Sequence, residues 1–306
     1  MREATGVLAI GALIVDMVCH VPCLPVSGEG IVAKSVSMAV GGCAHNTARA
    51  VQELGIPVGL CAPLGSGMHA AWLREQLRTR GLAGLEVLSS YDNGVCMCMI
   101  EPDGERTMLT LPGVDRHYER SWFDGIDASQ FACAVVSGYE IEPREGDAII
   151  EFLEDHPHLV AYFAPGPRVM GISGEKIARL NALRPVWHLN KQEALAFTGA
   201  SSLEAAGEAL RAQAGNDVVI TDGENGAVAF TEHGAVTVAT DPIAPVDTVG
   251  AGDAHVGAVA ALRAAGFSWE DALMFANRVS GVVCSVQGAA VPHGALEQIR
   301  LEIARR

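Results

Sequence analysis

The chain has 306 residues, of which 49% are hydrophobic and 19% charged, and these proportions indicate a soluble globular protein rather than a disordered one. The formal net charge of −15 argues against a nucleic-acid-binding protein, because such proteins usually carry a basic surface. This length is enough to bury one large core or two smaller ones.

The lysines and cysteines of the chain exclude further kinds of binding site. The only lysines are Lys34, Lys176 and Lys191, and no G-x-x-x-x-G-K-S/T motif occurs, which excludes a P-loop. The eight cysteines are scattered through apolar segments without C-x-x-C pairs, so we predict free thiols and no zinc site. The apolar run 7–15 is too short to span a membrane and lacks a basic leader. We therefore expect a cytoplasmic protein.

Strand-like and helix-like segments alternate from end to end, which predicts an α/β fold with a largely parallel sheet covered by helices on both faces. The predicted buried strands are 7–15, 57–63, 132–137, 159–164, 186–189 and 217–221, with short β-like pieces at 31–33 and 237–246. The predicted helices include 203–213, 254–265 and 268–286. No internal repeat interrupts this order, so we expect a single domain over residues 1–306.

Asp16 is predicted to end the first strand, at the carboxyl edge where open α/β sheets bind ligands. A turn-forming aspartate is the alternative interpretation. Gly41 and Gly42 open an amphipathic helix, and two glycines would let a small polyol approach the backbone closely. His45 in this helix is interpreted as a surface residue, with a pocket-lining role as the alternative.

A β-hairpin is predicted over residues 95–111. Hydrophobicity alternates in this segment, and Pro102-Asp103-Gly104 is a strong turn signal at its centre. Because both faces carry apolar residues, we expect one of them to cover a ligand or to contact a second subunit. Arg106 on the return strand is interpreted as a solvated charge.

Asn190 and Glu193 lie one helical turn apart on the same face of a predicted helix. An N-cap asparagine followed by glutamate at the third helical position is an ordinary capping box. The same pair would suit Mg²⁺, which keeps most of its water ligands and needs few protein groups. Both interpretations stay open at this point.

The most informative stretch is D-T-V-G-A-G-D at residues 247–253, which precedes a helix rich in small residues. The amides of Gly250, Ala251 and Gly252 would form an anion site at the helix N-terminus. Asp253 beside them is predicted to take a proton from a hydroxyl that attacks phosphorus, while the amides stabilise the developing charge. A plain glycine turn followed by a dipole-favoured aspartate is the alternative.

This stretch resembles the C-terminal signature of the ribokinase-like (PfkB) family of carbohydrate and nucleoside kinases. Gly41-Gly42, with Asn46 four residues later, matches the first signature of that family. The resemblance covers nearly the whole chain and is greatest to uncharacterised bacterial sugar kinases. It implies a three-layer α/β/α sandwich with a mostly parallel central sheet, and a small β-sheet lid formed by insertions at about 17–40 and 92–112.

The resemblance also implies roles for individual residues. The implied acceptor contacts are Asp16, Gly41, Gly42, Asn46, Glu140 and Arg168. The implied nucleotide contacts are Asn190, Thr221, Gly223, Gly226 and Asn277. Mg²⁺ is implied at Asn190 and Glu193 through water, and K⁺ at the backbones of Asp247, Val249, Val283, Val286 and Gly288. A surface position is the alternative for Glu140, and phosphate neutralisation is the expected task of Arg168.

Several positions depart from the family pattern. Ala164 and Gly166 stand where the family commonly has Asp and Asn ahead of Arg168, and Asp222 is unusual beside a nucleotide. His255 replaces a large apolar residue and is expected either to touch substrate or to pack in its helix. These departures are compatible with a protein that has the fold of this family but does not catalyse phosphoryl transfer.

The sequence predicts a phosphotransferase that uses ATP to phosphorylate a primary hydroxyl of a sugar or sugar derivative, with Asp253 as general base and Gly250 to Gly252 as the anion hole. A nucleoside kinase of the adenosine, inosine or pseudouridine type is the first alternative. A non-catalytic sugar- or nucleotide-sensing protein is the second. The expected cofactors are ATP, Mg²⁺ and K⁺. The expected partner is a small molecule, without nucleic acid or membrane, and the protein is expected to form a homodimer through the lid.

Overall fold

A computed structural model describes residues 6–306, in which strands and helices alternate. The strands are β1 (Gly6–Ile10), β2 (Ile14–His20), β3 (Ser35–Gly41), β4 (Val58–Cys61), β5 (Pro63–Leu64), β6 (Leu85–Glu86), β7 (Val95–Ile100), β8 (Arg106–Leu111), β9 (Phe131–Ser137), β10 (Val160–Ala164), β11 (Val186–Asn190), β12 (Val218–Thr221), β13 (Ala227–Thr231) and β14 (Gly234–Val238). The helices are α1 (Cys43–Glu53), α2 (Met68–Thr79), α3 (Gly138–Ile141), α4 (Asp147–Asp155), α5 (Gly174–Ala182), α6 (Lys191–Thr198), α7 (Leu203–Ala214), α8 (Ala251–Ala264), α9 (Trp269–Cys284) and α10 (Glu297–Ile303).

The central sheet has eight strands in the order β14-β13-β12-β11-β10-β9-β1-β4. The neighbours from β4 to β12 pair in parallel, whereas β13 and β14 add an antiparallel edge. Strands β1, β9 and β12 are buried along almost their whole length, as expected where helices cover both faces. The mostly parallel sheet predicted from the alternation of elements is therefore confirmed.

Two helical layers pack on opposite faces of this sheet, as strand β11 illustrates. Trp187 and Leu189 belong to one apolar cluster with residues of α4, α5 and α7. Val186 belongs to a second cluster, with residues of α1, α8, α9 and α10. Successive side chains on a strand point to opposite faces. The expected three-layer α/β/α architecture is confirmed.

A second sheet has four strands in the order β3-β2-β7-β8 and is called the small sheet below. Its segments include those that the sequence analysis assigned to a lid. Strands β7 and β8 pair antiparallel, with Val95 opposite Leu111 at one end and Ile100 opposite Arg106 at the other. This pairing confirms the predicted hairpin. A third apolar cluster, containing Leu13, Val40 and Leu73, packs α2 and the end of β1 against the small sheet.

The single strand predicted over residues 7–15 is wrong. Strand β1 ends at Ile10, and the chain turns at Gly11, whose φ of 146° is a conformation that favours glycine. Ala12 and Leu13 remain buried through the turn, so the apolar run continues although the strand does not. Asp16 consequently lies within β2 of the small sheet, opposite Ala39 and Cys96, instead of at the end of β1.

Two further interpretations need correction. Residues 31–33 contain no strand, because β3 begins only at Ser35. The strand-like segment 237–246 ends at Val238, and beyond it Pro242 and Pro245 lack the N–H groups that a sheet requires. All eight cysteines are free thiols, and Cys23 is exposed. None of the helices in the described part of the chain is both long and apolar enough to cross a bilayer.

Candidate active site

Residues 247–253 follow strand β14 and extend into the first turn of helix α8, where they line several cavities. Gly250 has a φ of 77°, and a Cβ atom there would lie 1.8 Å from the carbonyl oxygen of Ala289, so that only glycine fits. At Gly252 a Cβ would meet no atom within 4 Å, because this glycine faces open space. The amide of Ala251 already donates to the carbonyl of Thr248 at 3.3 Å, whereas Gly250 and Gly252 line a ligand-sized space at the N-terminus of α8, where helices can bind anions.

A cavity of about 190 Å³, called the central cavity, is lined by Gly250, Gly252 and Asp253 among other residues. Asp253 is in the first turn of α8, and its Oδ2 accepts a hydrogen bond of 2.9 Å from Nδ2 of Asn46. The hydroxyl of Thr47 donates to the backbone carbonyl of Asp253 at 3.1 Å. Helix α1 thus fixes the position of Asp253 at the wall of the central cavity.

Burial raises the pKa of Asp253 to about 6, although the hydrogen bond from Asn46 acts in the opposite direction. A carboxylate with this pKa is mostly ionised at neutral pH and is a stronger base than an exposed aspartate. The group can therefore accept a proton from a hydroxyl placed in the central cavity.

Asp16 packs directly over Gly41, where a Cβ atom would lie 2.1 Å from Oδ2 of Asp16. Gly42 has a φ of 99°, and its backbone lies close to the carbonyl oxygen of Ala12. A Cβ atom at position 42 would lie only 2.3 Å from that oxygen. Gly41 is therefore needed to make room for the Asp16 carboxylate, and Gly42 to make room for the turn before β2. Burial, followed by the charges of Asp253 and Asp247, raises the pKa of Asp16 to about 7.

Arg106 forms an ion pair with Asp247, so its interpretation as a solvated surface charge is wrong. Asp247 also accepts hydrogen bonds from the amides of Val249 at 2.9 Å and Gly288 at 3.0 Å. Burial alone would raise the pKa of Asp247, but these hydrogen bonds and the guanidinium hold it below the usual range. One carboxylate thereby joins the small sheet to the loop before α8, across 141 residues of sequence.

A small cavity of about 80 Å³ lies beneath the small sheet and is called the small-sheet cavity. It is lined by Asp16, Arg106, Asp247 and Val249, together with Cys96, Cys98 and the segment 287–289. Its polar wall is made of charged side chains that belong to separate parts of the chain. No sequence pattern pointed to the role of Arg106, because its partner is remote along the chain.

Asn190 and Glu193 form the predicted capping box. The amide of Glu193 donates to Oδ1 of Asn190 at 2.8 Å, and the amide of Asn190 donates to Oε2 of Glu193 at 3.0 Å. Both residues also line the central cavity, and the cap leaves Oε1 of Glu193 free. The capping interpretation is confirmed, and it does not conflict with a hydrated cation. Within residues 6–306 no three or more His, Cys, Asp or Glu side chains cluster as a metal site.

A wider cavity of about 500 Å³, called the outer cavity, shares Thr221 and Gly252 with the central cavity. Gly223 and Asn277 also line it. Gly226 has a different task, because a Cβ there would lie 2.1 Å from the carbonyl oxygen of Val238. Of the three predicted loop positions, the structure thus brings Thr221 and Gly223 to the cavity wall, and uses Gly226 for close backbone packing.

His255 both packs within α8 and lines the outer cavity, so its two interpretations are compatible. Asn277 donates to the carbonyls of Val238 at 3.0 Å and Ala239 at 3.3 Å, which leaves its Oδ1 to accept from Nε2 of His255 at 3.1 Å. Nδ1 of His255 then accepts from Nε2 of His188 at 2.8 Å. Burial lowers the pKa of His255 to about 4, so this chain consists of neutral rings.

The His188–His255–Asn277 chain connects the outer cavity with the central cavity, which His188 lines. Sequence analysis missed His188, which lies in the apolar run of β11 with no motif around it. Its only sequence signal is a polar residue inside a buried strand.

Glu140 is buried, so the surface alternative is wrong. It accepts a hydrogen bond from the hydroxyl of Ser137, and burial raises its pKa to about 8. Its carboxylate lies beside Gly11, where a Cβ atom would be 2.8 Å from Oε2. The structure therefore places Glu140 behind Ser137, which itself lines the central cavity.

Arg168 is partly exposed, with its guanidinium carbon 5.0 Å from the ring centroid of Tyr139. Tyr139, Ala164 and Gly166 line the central cavity, so the two family departures widen this wall and leave it apolar. Asp222 pairs with Lys191 at 2.9 Å, and this contact neutralises the unusual carboxylate.

The residues named for a monovalent cation lie in one region. Asp247 holds the amides of Val249 and Gly288, as described above, and its own amide donates to the carbonyl of Cys284 at 3.2 Å. Val283 and Val286 flank Cys284 at the end of α9. The loop before α8 and the chain after α9 are thus tied together.

The profile of pfkB family carbohydrate kinases matches residues 4–294 of the chain. The uncharacterized sugar kinase YegV of Escherichia coli K12 is 32% identical over 287 residues, which cover 92% of this chain and 89% of that protein. Two solved structures are similar in fold. The adenosine kinase of Sinorhizobium meliloti has a TM-score of 0.86 at 22% identity, covering 98% of this chain and 99% of that one. The ribokinase of Cryptococcus neoformans in complex with ADP has a TM-score of 0.76 at 21% identity, covering 97% and 99%.

Proposed function

The chain belongs to the pfkB family of carbohydrate kinases and is a phosphotransferase with an alcohol group as acceptor. From this premise we propose that it transfers the γ-phosphoryl group of ATP to a primary hydroxyl of a sugar or sugar derivative. The observation that carries this proposal is the Asp253 carboxylate, with its pKa raised to about 6, beside the open face of Gly252. The central cavity, which both residues line, adjoins the outer cavity at Gly252.

The proposed reaction is an in-line displacement. The acceptor hydroxyl loses its proton to Asp253 while its oxygen forms a bond to the γ-phosphorus, and the bond from that phosphorus to the β–γ bridging oxygen breaks. The amides of Gly250, Ala251 and Gly252 stabilise the charge on the transferring group. Asn46 keeps the carboxylate oriented through its 2.9 Å hydrogen bond. Asp16 orients the acceptor through a second hydroxyl.

The outer cavity fits a nucleotide in size, since small-molecule sites commonly measure a few hundred Å³. The similar ribokinase structure contains ADP, and we propose that ATP binds with its base near Asn277 and its phosphates toward Gly252. Bound Mg²⁺ neutralises phosphate charge, and Asn190 and Glu193 would hold it through water. We further propose that K⁺ binds the backbones of Asp247, Val249, Val283, Val286 and Gly288. Glu140 and Arg168 would support the acceptor and phosphate indirectly, through Ser137 and Tyr139.

The small-sheet cavity favours a sugar over a nucleoside. Its volume is about 80 Å³, it contains the proposed acceptor contact Asp16 in its wall, and both members of the Arg106–Asp247 pair line it. A nucleoside has about twice as many non-hydrogen atoms as a pentose and would require this contact to open. The small sheet would act as the lid of a single catalytic domain.

A panel of acceptors tests the proposal. ADP release would be measured with ribose, fructose, keto-sugar acids, adenosine, inosine and pseudouridine, each with ATP and Mg²⁺. We expect the largest kcat/KM with a sugar or sugar acid. A nucleoside as the best substrate would replace this proposal with the nucleoside kinase. ATP turnover with none of them would favour the non-catalytic sensing protein.

A homodimer through the small sheet is also proposed. Strands β3 and β8 expose large apolar side chains, namely Val36, Met38, Met108, Leu109 and Leu111. Exposed apolar patches of this kind mark interfaces between proteins. Light scattering should show a dimer that Leu109→Glu dissociates, whereas Leu88→Glu, at an exposed leucine outside the sheet, should not. A monomeric wild-type protein would contradict the proposal.

A further inference from the structure

A fourth cavity of about 590 Å³ lies outside the site described so far and is called the α1–α2 cavity. Its walls come from β3, α1, α2 and residues 287–293. Among the described residues it shares only Gln287, Gly288 and Ala289 with the small-sheet cavity, so this segment is the partition between the two. The volume is in the range of known small-molecule sites.

His45 lines this cavity and is 1% exposed, so the surface interpretation of this residue is wrong. Nδ1 of His45 lies 3.4 Å from Oδ1 of Asn46, whose amide nitrogen is oriented by its bond to Asp253. Nδ1 must therefore carry the proton, and Nε2 is left with a lone pair. Within residues 6–306, this Nε2 is the one fully buried side-chain nitrogen or oxygen without a hydrogen-bond partner.

An unsatisfied buried acceptor is costly and calls for an O–H or N–H donor. Burial, with a contribution from Arg49 and Arg80, lowers the pKa of His45 to about 3. The ring is therefore neutral at physiological pH and cannot satisfy Nε2 by protonation. A ligand hydroxyl would supply the missing donor.

Two guanidinium groups also line the cavity. Arg49 is paired with Glu53 at 2.7 Å and donates to the carbonyl of Val291 at 3.4 Å. Within the described residues, the guanidinium of Arg80 donates only to the backbone and side-chain oxygens of Gln76, at 2.8 and 2.9 Å. No carboxylate in the described part of the chain pairs with Arg80. In a protein of net charge −15, this leaves one uncompensated positive charge at the cavity.

We propose that the α1–α2 cavity is a second binding site, for a small phosphorylated sugar or polyol. Its phosphate binds the guanidinium groups of Arg80 and Arg49, which suit phosphate oxygens in geometry and charge. One of its hydroxyls donates to Nε2 of His45, and because this nitrogen is fully buried in the structure, the His45 ring or its neighbours must shift to admit the hydroxyl. Trp72 in the cavity wall offers an apolar face to the carbon skeleton. Through His45 and Asn46, the ligand connects by hydrogen bonds to Asp253.

Calorimetric titration of the full chain with ribose 5-phosphate, without ATP, tests the proposal independently of turnover. The wild type and Arg78→Gln should bind equally, because Arg78 lies on the same helix but pairs with Glu75 away from the cavity. Arg80→Gln should weaken binding about tenfold, the effect of one charge-assisted hydrogen bond. Asp16→Asn should leave this binding unchanged, because Asp16 lines only the small-sheet cavity.

Three outcomes would overturn the proposal. The first is no binding at millimolar concentration. The second is equal affinity in Arg80→Gln and Arg78→Gln. The third is loss of binding in Asp16→Asn, which would place the phosphate ester in the catalytic site. Inorganic phosphate serves as the second probe, and it should bind more weakly than ribose 5-phosphate. If it binds equally well, the hydroxyl contact to His45 is wrong and the cavity holds an adventitious ion only.

Discussion

The two cavities on either side of the loop before α8, the small-sheet cavity and the outer cavity, are built differently. The small-sheet cavity, of about 80 Å³, has a mostly apolar wall with three charged side chains, Asp16, Arg106 and Asp247, and the Arg106–Asp247 pair joins remote parts of the chain. The outer cavity, of about 500 Å³, has walls made largely of glycine, proline and other small residues. Acceptor binding should therefore depend on individual charges, and nucleotide binding on backbone shape. Substitutions on each side should change different kinetic constants.

The largest effect is expected at the boundary between the two sides. Asp253→Asn keeps the shape of the side chain but removes the base, and should lower kcat by about 10²–10⁴-fold. The KM for ATP should change little, because the proposed contact of Asp253 is with the acceptor hydroxyl and not with the nucleotide. Steady-state kinetics with the best acceptor of the panel would measure both constants.

A suitable control is Asp127→Asn, which changes an exposed carboxylate far from the cavities. It should leave kcat unchanged. Near-normal turnover of Asp253→Asn would remove this residue from the role of base and leave positioning as its only task.

The second prediction concerns the proposed anion hole of Gly250 to Gly252. Gly250→Ala places a methyl group against the carbonyl of Ala289 and strains a φ of 77°, so the N–H groups of the turn must move. Misplaced donors of this kind cost about 10²–10³-fold in kcat. Kinetics and a thermal melt together would measure the effect.

Gly266→Ala is the matched control for this strain. Gly266 follows α8 with a φ of 89°, and a Cβ there would meet open space. Gly266→Ala should lower Tm, because alanine is unfavourable at this positive φ, but it should leave kcat unchanged. If Gly250→Ala also loses only stability, the proposed anion hole is wrong.

A smaller effect is expected from opening the small sheet. Arg106→Gln removes the ion pair with Asp247 and should raise the acceptor KM by about tenfold, as expected for a partly buried charged hydrogen bond. The KM for ATP should stay within about twofold, since the outer cavity is formed by other elements. Arg74→Gln, which loses an exposed pair with Glu86, is the control. Equal changes in both KM values would contradict the division between the two sides.

The sequence predicts the local structure around Gly250 and Asn190 better than the long-range contacts of the site, for a physical reason. Glycines, caps and helix starts are local, so Gly250, the capping box at Asn190 and the position of Asp253 follow from short patterns. The pair between Arg106 and Asp247 and the histidine chain through His188 depend on tertiary contacts.

The position of Asp16, in β2 instead of at the end of β1, shows a second limit of prediction from the sequence. An apolar run that stays buried through a turn has the same pattern as one continuous strand, so Gly11 was the only local sign of the break. The largely parallel sheet with helices on both faces, in contrast, follows from the alternation of elements. The acceptor contact at Asp16 stays a prediction, whereas the strand that carries this residue was assigned wrongly.

The smallest predicted effect concerns stability and pH. The pKa of Asp16 in the folded protein is about 7, above its ordinary value of 3.8, so the native state binds more protons than the unfolded state between these values. Stability should therefore fall as pH rises from 4 to 7. Asp16→Asn abolishes this loss and should raise Tm at pH 8 by about 2–4 °C, while it weakens acceptor binding.

Thermal melts at pH 4 and pH 8 separate ionisation from packing. At pH 4 Asp16 is protonated in the folded protein, so the variant and the wild type should melt at nearly the same temperature. Asp103→Asn, in the exposed turn of the hairpin, should match the wild type at both pH values. If Asp16→Asn gains the same number of degrees at both pH values, the gain comes from packing over Gly41. The charged side of the site would then lose one of the carboxylates that distinguish it from the nucleotide side.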